Sequence, residues 1–274
     1  MATGQVSLQR LAGRSIICTM SDTTPWSTPV AFPKLGAGET HVWRARLDIQ
    51  SETLVRLQNS LDAAELERAS RFHFARDREH YVACRGILRE LLGAYLHRSA
   101  ASLQFQYGPY GKPHLSQEAS PAAIEFNVSH SHGVGVAVFA RGRELGIDVE
   151  QMRPEFGGED IAQRYFSAAE VAELHTLGQA EKASGFFRGW TRKEAYIKAR
   201  GLGLQIPLDS FSVALASGNT PLLHSQDSTR WALRSFEAWS NFAAAIVEEC
   251  PQGQLSFYNW AAELTPGDLA GRAI

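Results

Sequence analysis

The stretch LGIDVEQ, Leu145 to Gln151, sets two carboxylates one pleat repeat apart inside an apolar run. Successive strand side chains point to opposite faces, so Ile147 and Val149 share one face and Asp148 and Glu150 the other. Two like charges that close repel and raise each other's pKa. A cation must lie between them, or water must bathe them.

Outward from this strand, each half of the chain reads as strand, then helices, then more strands. Upstream, residues 1–38 mix Ser, Thr, Gly and Pro without sustained periodicity and read as an irregular arm. HVWRARLDI (41–49) alternates, with Trp43, Ala45, Leu47 and Ile49 on one face, as a half-buried strand does. Leu54, Leu57 and Leu61 follow at helical spacing. A longer helix over about 78–97 carries Tyr81, Cys84, Leu88, Leu91, Leu92 and Tyr95 with a period near 3.6. YGPYGKPHL (107–115) is a Gly/Pro loop, and IEFNVSHSHGVGVAVFARG (124–142) returns to strand. Downstream, DIAQRYFSAAEVAEL (160–174) and ASGFFRGWTRKEAYIKARG (183–201) read as helices. FSVAL, RWALRSF, NFAAAIVEE and LSFYNW complete the strands. The class is α+β, with an arm (1–38), an N-terminal lobe (39–143), a C-terminal lobe (144–260) and a tail (261–274).

At 274 residues, with 44% hydrophobic and 20% charged residues, the chain has the composition of a soluble globular protein. Its net charge of -2 argues against nucleic-acid binding by bulk electrostatics. Cys18, Cys84 and Cys250 are odd in number and far apart, which disfavours a disulfide framework and fits a reducing cytoplasm. No apolar run approaches the ~20 residues that span a bilayer. A cytoplasmic, monomeric protein is expected.

In FRGWTRKEAYIKARGLGL (187–204), Trp190, Glu194, Ile197 and Lys198 fall along one helical stripe. That stripe is either a partly buried face carrying Glu194 and Lys198 or an ordinary i,i+4 surface pair. Asp148, Glu150 and Glu194 together form a hard-oxygen set suited to Mg²⁺. His130 and His132 lack the spaced partners of a zinc site. Ser129 and His130, in NVSHSHG, offer a hydroxyl and an imidazole beside a flexible glycine. Lys112, in YGPYGKP, either faces a phosphate or purine or belongs to a plain hairpin turn. Arg85 interrupts an apolar stripe; it either snorkels or pairs with an internal carboxylate, the structural role expected of it, or faces an anion.

RASRFHFARD (68–77), YGKP (110–113), FNVSHS (126–131), GIDVE (146–150), YFSAAE (165–170), FRGWTRKEAYIKARGLGL and PLDSFSV (207–213) occur in this order. Together they resemble the Sfp-type 4′-phosphopantetheinyl transferases over about residues 65–213. The resemblance implies two similar α/β lobes in a pseudo-twofold arrangement, with the active site between them. It implies coenzyme A as donor and a serine of an apo acyl or peptidyl carrier protein as acceptor. Carried over residue by residue, it makes Asp148, Glu150 and Glu194 ligands of Mg²⁺. Arg68, Lys112, Pro113, Asn127, Ser129, His130 and Lys198 become coenzyme A contacts, with Glu194 and Lys198 catalytic. Where some members carry a further basic residue, this chain has His80. Arg188, Arg192, Lys193 and Arg200 either greet an acidic carrier or form a solvated helix face. The rival readings are a non-catalytic coenzyme A or nucleotide-binding module and a metal-dependent phosphohydrolase.

Overall fold

The computed structural model describes residues 26–116, 123–217, 223–225, 227–249 and 254–263. Cys18, Cys250, residues 1–25 of the arm and residues 264–274 of the tail lie outside them. Strand β1 (Thr40–Arg46) leads into α1 (Ser51–Gln58), α2 (Ala63–Ser70) and α3 (Ala75–Leu96). A short hairpin, β2 (Phe105–Tyr107) and β3 (Pro113–Leu115), precedes β4 (Ile124–Ser131), β5 (Val134–Arg141) and β6 (Leu145–Gln151). Helices α4 (Glu159–Tyr165), α5 (Ala168–Thr176) and α6 (Gln179–Arg200) follow. The described chain ends with β7 (Ser212–Val213), β8 (Leu223–His224), β9 (Trp231–Glu237), β10 (Phe242–Glu249) and β11 (Leu255–Asn259).

Two main sheets form, one ordered β11-β1-β5-β4 and the other β6-β10-β9. Their apolar faces share a core in which Val42, Val136 and Val138 meet Ile147, Val149 and Ile246. On the outer side of the first sheet, Trp43, Ala45 and Leu47 pack against Leu88, Leu91 and Leu92 of α3. On the outer side of the second, Ala243, Ala245 and Val247 pack against Ala195, Ile197 and Ala199 of α6. The alternation of HVWRARLDI and the split faces of LGIDVEQ thus resolve into helix–sheet–sheet–helix layers. Among the described residues no helix is long and apolar enough to cross a membrane.

Two local expectations need correction, and two alternatives are resolved. DIAQRYFSAAEVAEL is two helices, α4 and α5, because Ser167 and Glu170 form a reciprocal capping box that starts a new helix. LSFYNW, expected in the C-terminal lobe, crosses back as β11 and pairs in parallel with β1. YGPYGKP is the connection of the β2–β3 hairpin, the plainer of its two readings. Arg85 pairs with buried Glu65 and donates to Tyr107 Oη at 2.9 Å, the structural role expected of it in its paired form.

Candidate active site

The site lies where β4, at the edge of one sheet, runs beside β6, at the edge of the other. No backbone ladder joins them; side chains fill the seam instead. Asn127 Oδ1 accepts from the Ile147 amide at 3.0 Å. Ser129 Oγ donates to Asp148 Oδ1 at 2.8 Å, and Ser131 Oγ donates to Glu150 Oε2 at 2.7 Å. Hydroxyls two residues apart on one strand therefore meet carboxylates two residues apart on the other, as the shared side-chain period allows. Ser131 was not singled out from the sequence; its signal was the SHS spacing opposite DVE.

Helix α6 closes the third side. Gly146 permits the approach, since a Cβ there would collide with the backbone of Ala195, Lys198 and Ala199. Helix and strand thus touch, and Lys198 Nζ reaches Asp148 Oδ1 at 2.6 Å and Ser129 Oγ at 3.0 Å. Lys198 pairs across to the strand acid, so the simple i,i+4 surface pair with Glu194 is not what forms. Part of the answer to the acidic pleat is therefore this lysine: it lies against Asp148, and a serine hydroxyl serves each acid.

The charge is incompletely balanced. Asp148 Oδ2 is buried without a hydrogen-bond partner among the described residues. Burial, then the nearby charge of Asp148, pushes the Glu194 carboxyl up to about 7, against the pull of Lys198. Burial also raises Glu150, with Asp148 adding to it and the Ser131 hydrogen bond opposing it. Among the described residues no three His, Cys, Asp or Glu side chains are spaced as a ready-made metal cage. The donor set nonetheless suits a hard cation. Three oxygen acids feel one another's charge, one buried oxygen lacks a partner, and no thiol or imidazole cluster competes.

A cavity of about 380 Å³ opens beside these groups, lined by Tyr110, Lys112, Pro113, Asn127, Glu194 and Lys198 among others. It gathers five of the sequence-derived candidates. Their side chains are not all free. Asn127 is occupied by the β6 amide, and Lys112 Nζ donates to Leu145 O at 3.1 Å and Ala199 O at 2.9 Å. His130 stands exposed near the end of β4, and its pKa is lowered by desolvation and further by Lys198, His80 and Arg68. His80 is itself held by Asp48 at 2.9 Å. Arg68 stacks 5.6 Å over the Tyr81 ring and lines a second cavity with Arg71 and Phe72.

The four cations around α6 are each engaged within the protein. Lys193 is fully buried, paired with Glu170 at 2.7 Å and donating to Leu208 O and Phe211 O. Arg192 donates to Ser235 Oγ at 2.8 Å and to Ala214 O, and Arg188 donates to Leu215 O at 2.7 Å. Arg200 pairs with Asp227 at 2.8 Å. These side chains fasten α6 to the surrounding loops and to β9; burial removes Lys193 and Arg192 from both the carrier-greeting and the solvated-face readings, while Arg188 and Arg200 are half-exposed.

Fold and sequence comparison define the class first: an α+β transferase. Residues 144–247 match the family model described as the 4′-phosphopantetheinyl transferase superfamily, and residues 47–141 match that of the 4′-phosphopantetheinyl transferase N-terminal region. The 4′-phosphopantetheinyl transferase HetI of Nostoc sp. is 36% identical over 209 residues, covering 76% of this chain and 87% of the relative. The 4′-phosphopantetheinyl transferase Sfp of Bacillus subtilis is 29% identical, over 74% of this chain and 88% of that one. A human L-aminoadipate-semialdehyde dehydrogenase-phosphopantetheinyl transferase is 26% identical over 71% and 69% of the two chains. The chain belongs to the 4′-phosphopantetheinyl transferase family.

Proposed function

We propose that the protein transfers the 4′-phosphopantetheine moiety of coenzyme A to a serine of an apo acyl or peptidyl carrier protein, releasing 3′,5′-ADP. The observation that carries this reading is the seam itself. Asp148, Glu150, Glu194 and Lys198 converge there beside a cavity of about 380 Å³. In this reading the two sheet-and-helix halves are pseudo-twofold equivalents, with residues 39–143 and 144–260 as the lobes apart from the returning strand β11. Asp148, Glu150 and Glu194 hold Mg²⁺, and Arg68, Pro113, Ser129, His130 and Lys198 take the nucleotide end of coenzyme A. Lys112 and Asn127 line the same cavity with their polar atoms turned to the backbone.

Phosphoryl transfer asks little covalent work of a protein. It asks for in-line placement and for neutralisation of the equatorial oxygens. A bound Mg²⁺ supplies Lewis acidity and a template for the two phosphates. Lys198, already within 3.0 Å of Ser129 Oγ, can turn its ammonium to the bridging oxygen that accumulates charge as 3′,5′-ADP leaves. Glu194, whose carboxyl is pushed up to about 7 in the cation-free protein, accepts the proton of the attacking serine in its ionised form, directly or through one water. Ser129 and Ser131 hold Asp148 and Glu150 in register with the helix.

The test is to mix the protein with coenzyme A, Mg²⁺ and apo carrier proteins and to weigh the carrier. Asp148→Ala and Glu194→Ala are expected to abolish the mass gain while keeping the circular dichroism of the parent. Full transfer by either folded variant removes that residue from the site. Phosphate release from coenzyme A without a carrier would favour the phosphohydrolase reading instead.

A further inference from the structure

Lys112 lies far in sequence from α6 and β6, yet its ammonium joins them. Nζ donates to Leu145 O, the first carbonyl of β6, and to Ala199 O, in the last turn of α6. The Ala199 carbonyl is one of the four that a helix end leaves without an intrahelical donor. A cation there also opposes the negative end of the helix dipole. The two carbonyls flank the close approach at Gly146, where the helix backbone touches the strand. The Lys112 aliphatic stem packs beside Gly201, the left-handed residue that ends α6. Burial lowers the Lys112 pKa, against the opposing charges of Glu144 and Glu125.

We propose that Lys112 is a positioning residue, a clasp that locks β6 against α6 and so fixes Asp148 and Glu150 relative to Glu194 and Lys198. The β2–β3 hairpin that carries it lines the cavity through Tyr110 and Gly111, and the segment after α6 lines it through Gly203 and Leu204, with Gly203 against Tyr110. One side chain therefore sets both the register of the acids and the spacing of the walls. This rests on the function proposed above, but the clasp itself is a statement about β6 and α6. It differs from a direct contact between Lys112 and the donor's purine, because both Nζ acceptors belong to the protein.

Lys112→Met keeps the length of the stem and removes the donor; Lys112→Arg keeps a cation able to reach two carbonyls. With coenzyme A and an apo carrier, Lys112→Met is expected to lower kcat about 10²-fold, the scale of a small misplacement of reacting groups. Its KM for coenzyme A is expected to stay within about 3-fold, and Lys112→Arg is expected to recover most of kcat. A raised KM at unchanged kcat would overturn the clasp and make Lys112 a substrate contact. Amide hydrogen exchange of the protein alone gives a reading independent of activity. Lys112→Met should lose protection in the last turn of α6 and at the start of β6, and unchanged protection there would also overturn the proposal. If Lys112→Met does not fold, Lys112→Gln, which can still serve one carbonyl, is measured in the same two ways. Absence of transfer by the parent protein would sink the proposed function and leave the exchange experiment to decide the clasp.

Discussion

Helix α6 carries two lysines five residues apart, each paired with a carboxylate from another element, and the two pairs are built to opposite ends. Lys193 and Glu170 are 0% and 1% exposed, and each glutamate oxygen is served. Oε2 receives the Ser167 amide at 2.7 Å as well as Lys193, and Oε1 receives the Val213 amide at 2.8 Å. Lys198 and Asp148 are 30% and 5% exposed. Asp148 receives Lys198 and Ser129 on one oxygen, while the other stays buried without a partner. The first pair is closed and holds α5, α6 and β7 together. The second is left short of donors beside two further acids, which suits a place where charge must come and go.

The strongest way to break this contrast is to remove one member of the closed pair. Leaving a buried charge alone costs about 3–5 kcal/mol, so Lys193→Met should lose that much in urea unfolding. Its transfer rate per folded molecule should match the parent. The double variant Glu170→Gln/Lys193→Met keeps one of the two amide hydrogen bonds, removes the stranded charge and should regain part of the loss. A single variant that unfolds with the parent would show that the pair is no better than a surface bridge.

The open pair should answer with rate instead. Lys198→Ala is expected to slow transfer by ~10²–10³, the scale for removing one donor to developing charge. Lys198 is partly solvated but Asp148 is not, so the cost in stability should fall between that of a surface bridge and that of the closed pair. An unchanged rate in stopped-flow transfer assays would remove Lys198 from the chemistry.

How much of this contrast could be read from the chain follows from the range of the interactions. The strand LGIDVEQ and the helix bearing Glu194 were legible because period-2 and period-3.6 patterns are local. The run TRKEAYIKAR reads the same whether its cations are solvated or buried. Lys193 is internal because Glu170, Leu208 and Phe211 come to it from other elements, which no local spacing encodes. The break between α4 and α5 did have a local sign, the S-A-A-E capping box at Ser167–Glu170. The return of β11 to β1 had none, since a parallel pairing across most of the chain leaves no pattern in either strand. The Asp148–Glu150 pair announced that a countercharge was needed. That Lys198 and the hydroxyls of Ser129 and Ser131 supply it depends on two sheet edges lying side by side.

The finest test of the open pair is thermodynamic and needs no substrate. Glu194 titrates at about 7 in the folded protein, against 4.5 as its ordinary value, because burial and the neighbouring acids disfavour its charge. Between those two values the folded state binds more protons than the unfolded one, so ionising Glu194 costs stability as pH rises through that window. Below about 4.5 the carboxyl is protonated in both states and the cost vanishes; above about 7 it is fully present. Glu194→Gln removes it. In cation-free buffer the variant should therefore melt higher than the parent at pH 8, with the advantage shrinking to nothing as pH falls towards 4.5. Saturating Mg²⁺ should reverse the order at pH 8, since a ligand stabilises the folded state it binds and the variant has one acid fewer to offer. Equal melting temperatures at pH 8 without the cation would mean that Glu194 is as well solvated as an ordinary surface acid. The contrast between the two lysine pairs would then lie in exposure alone.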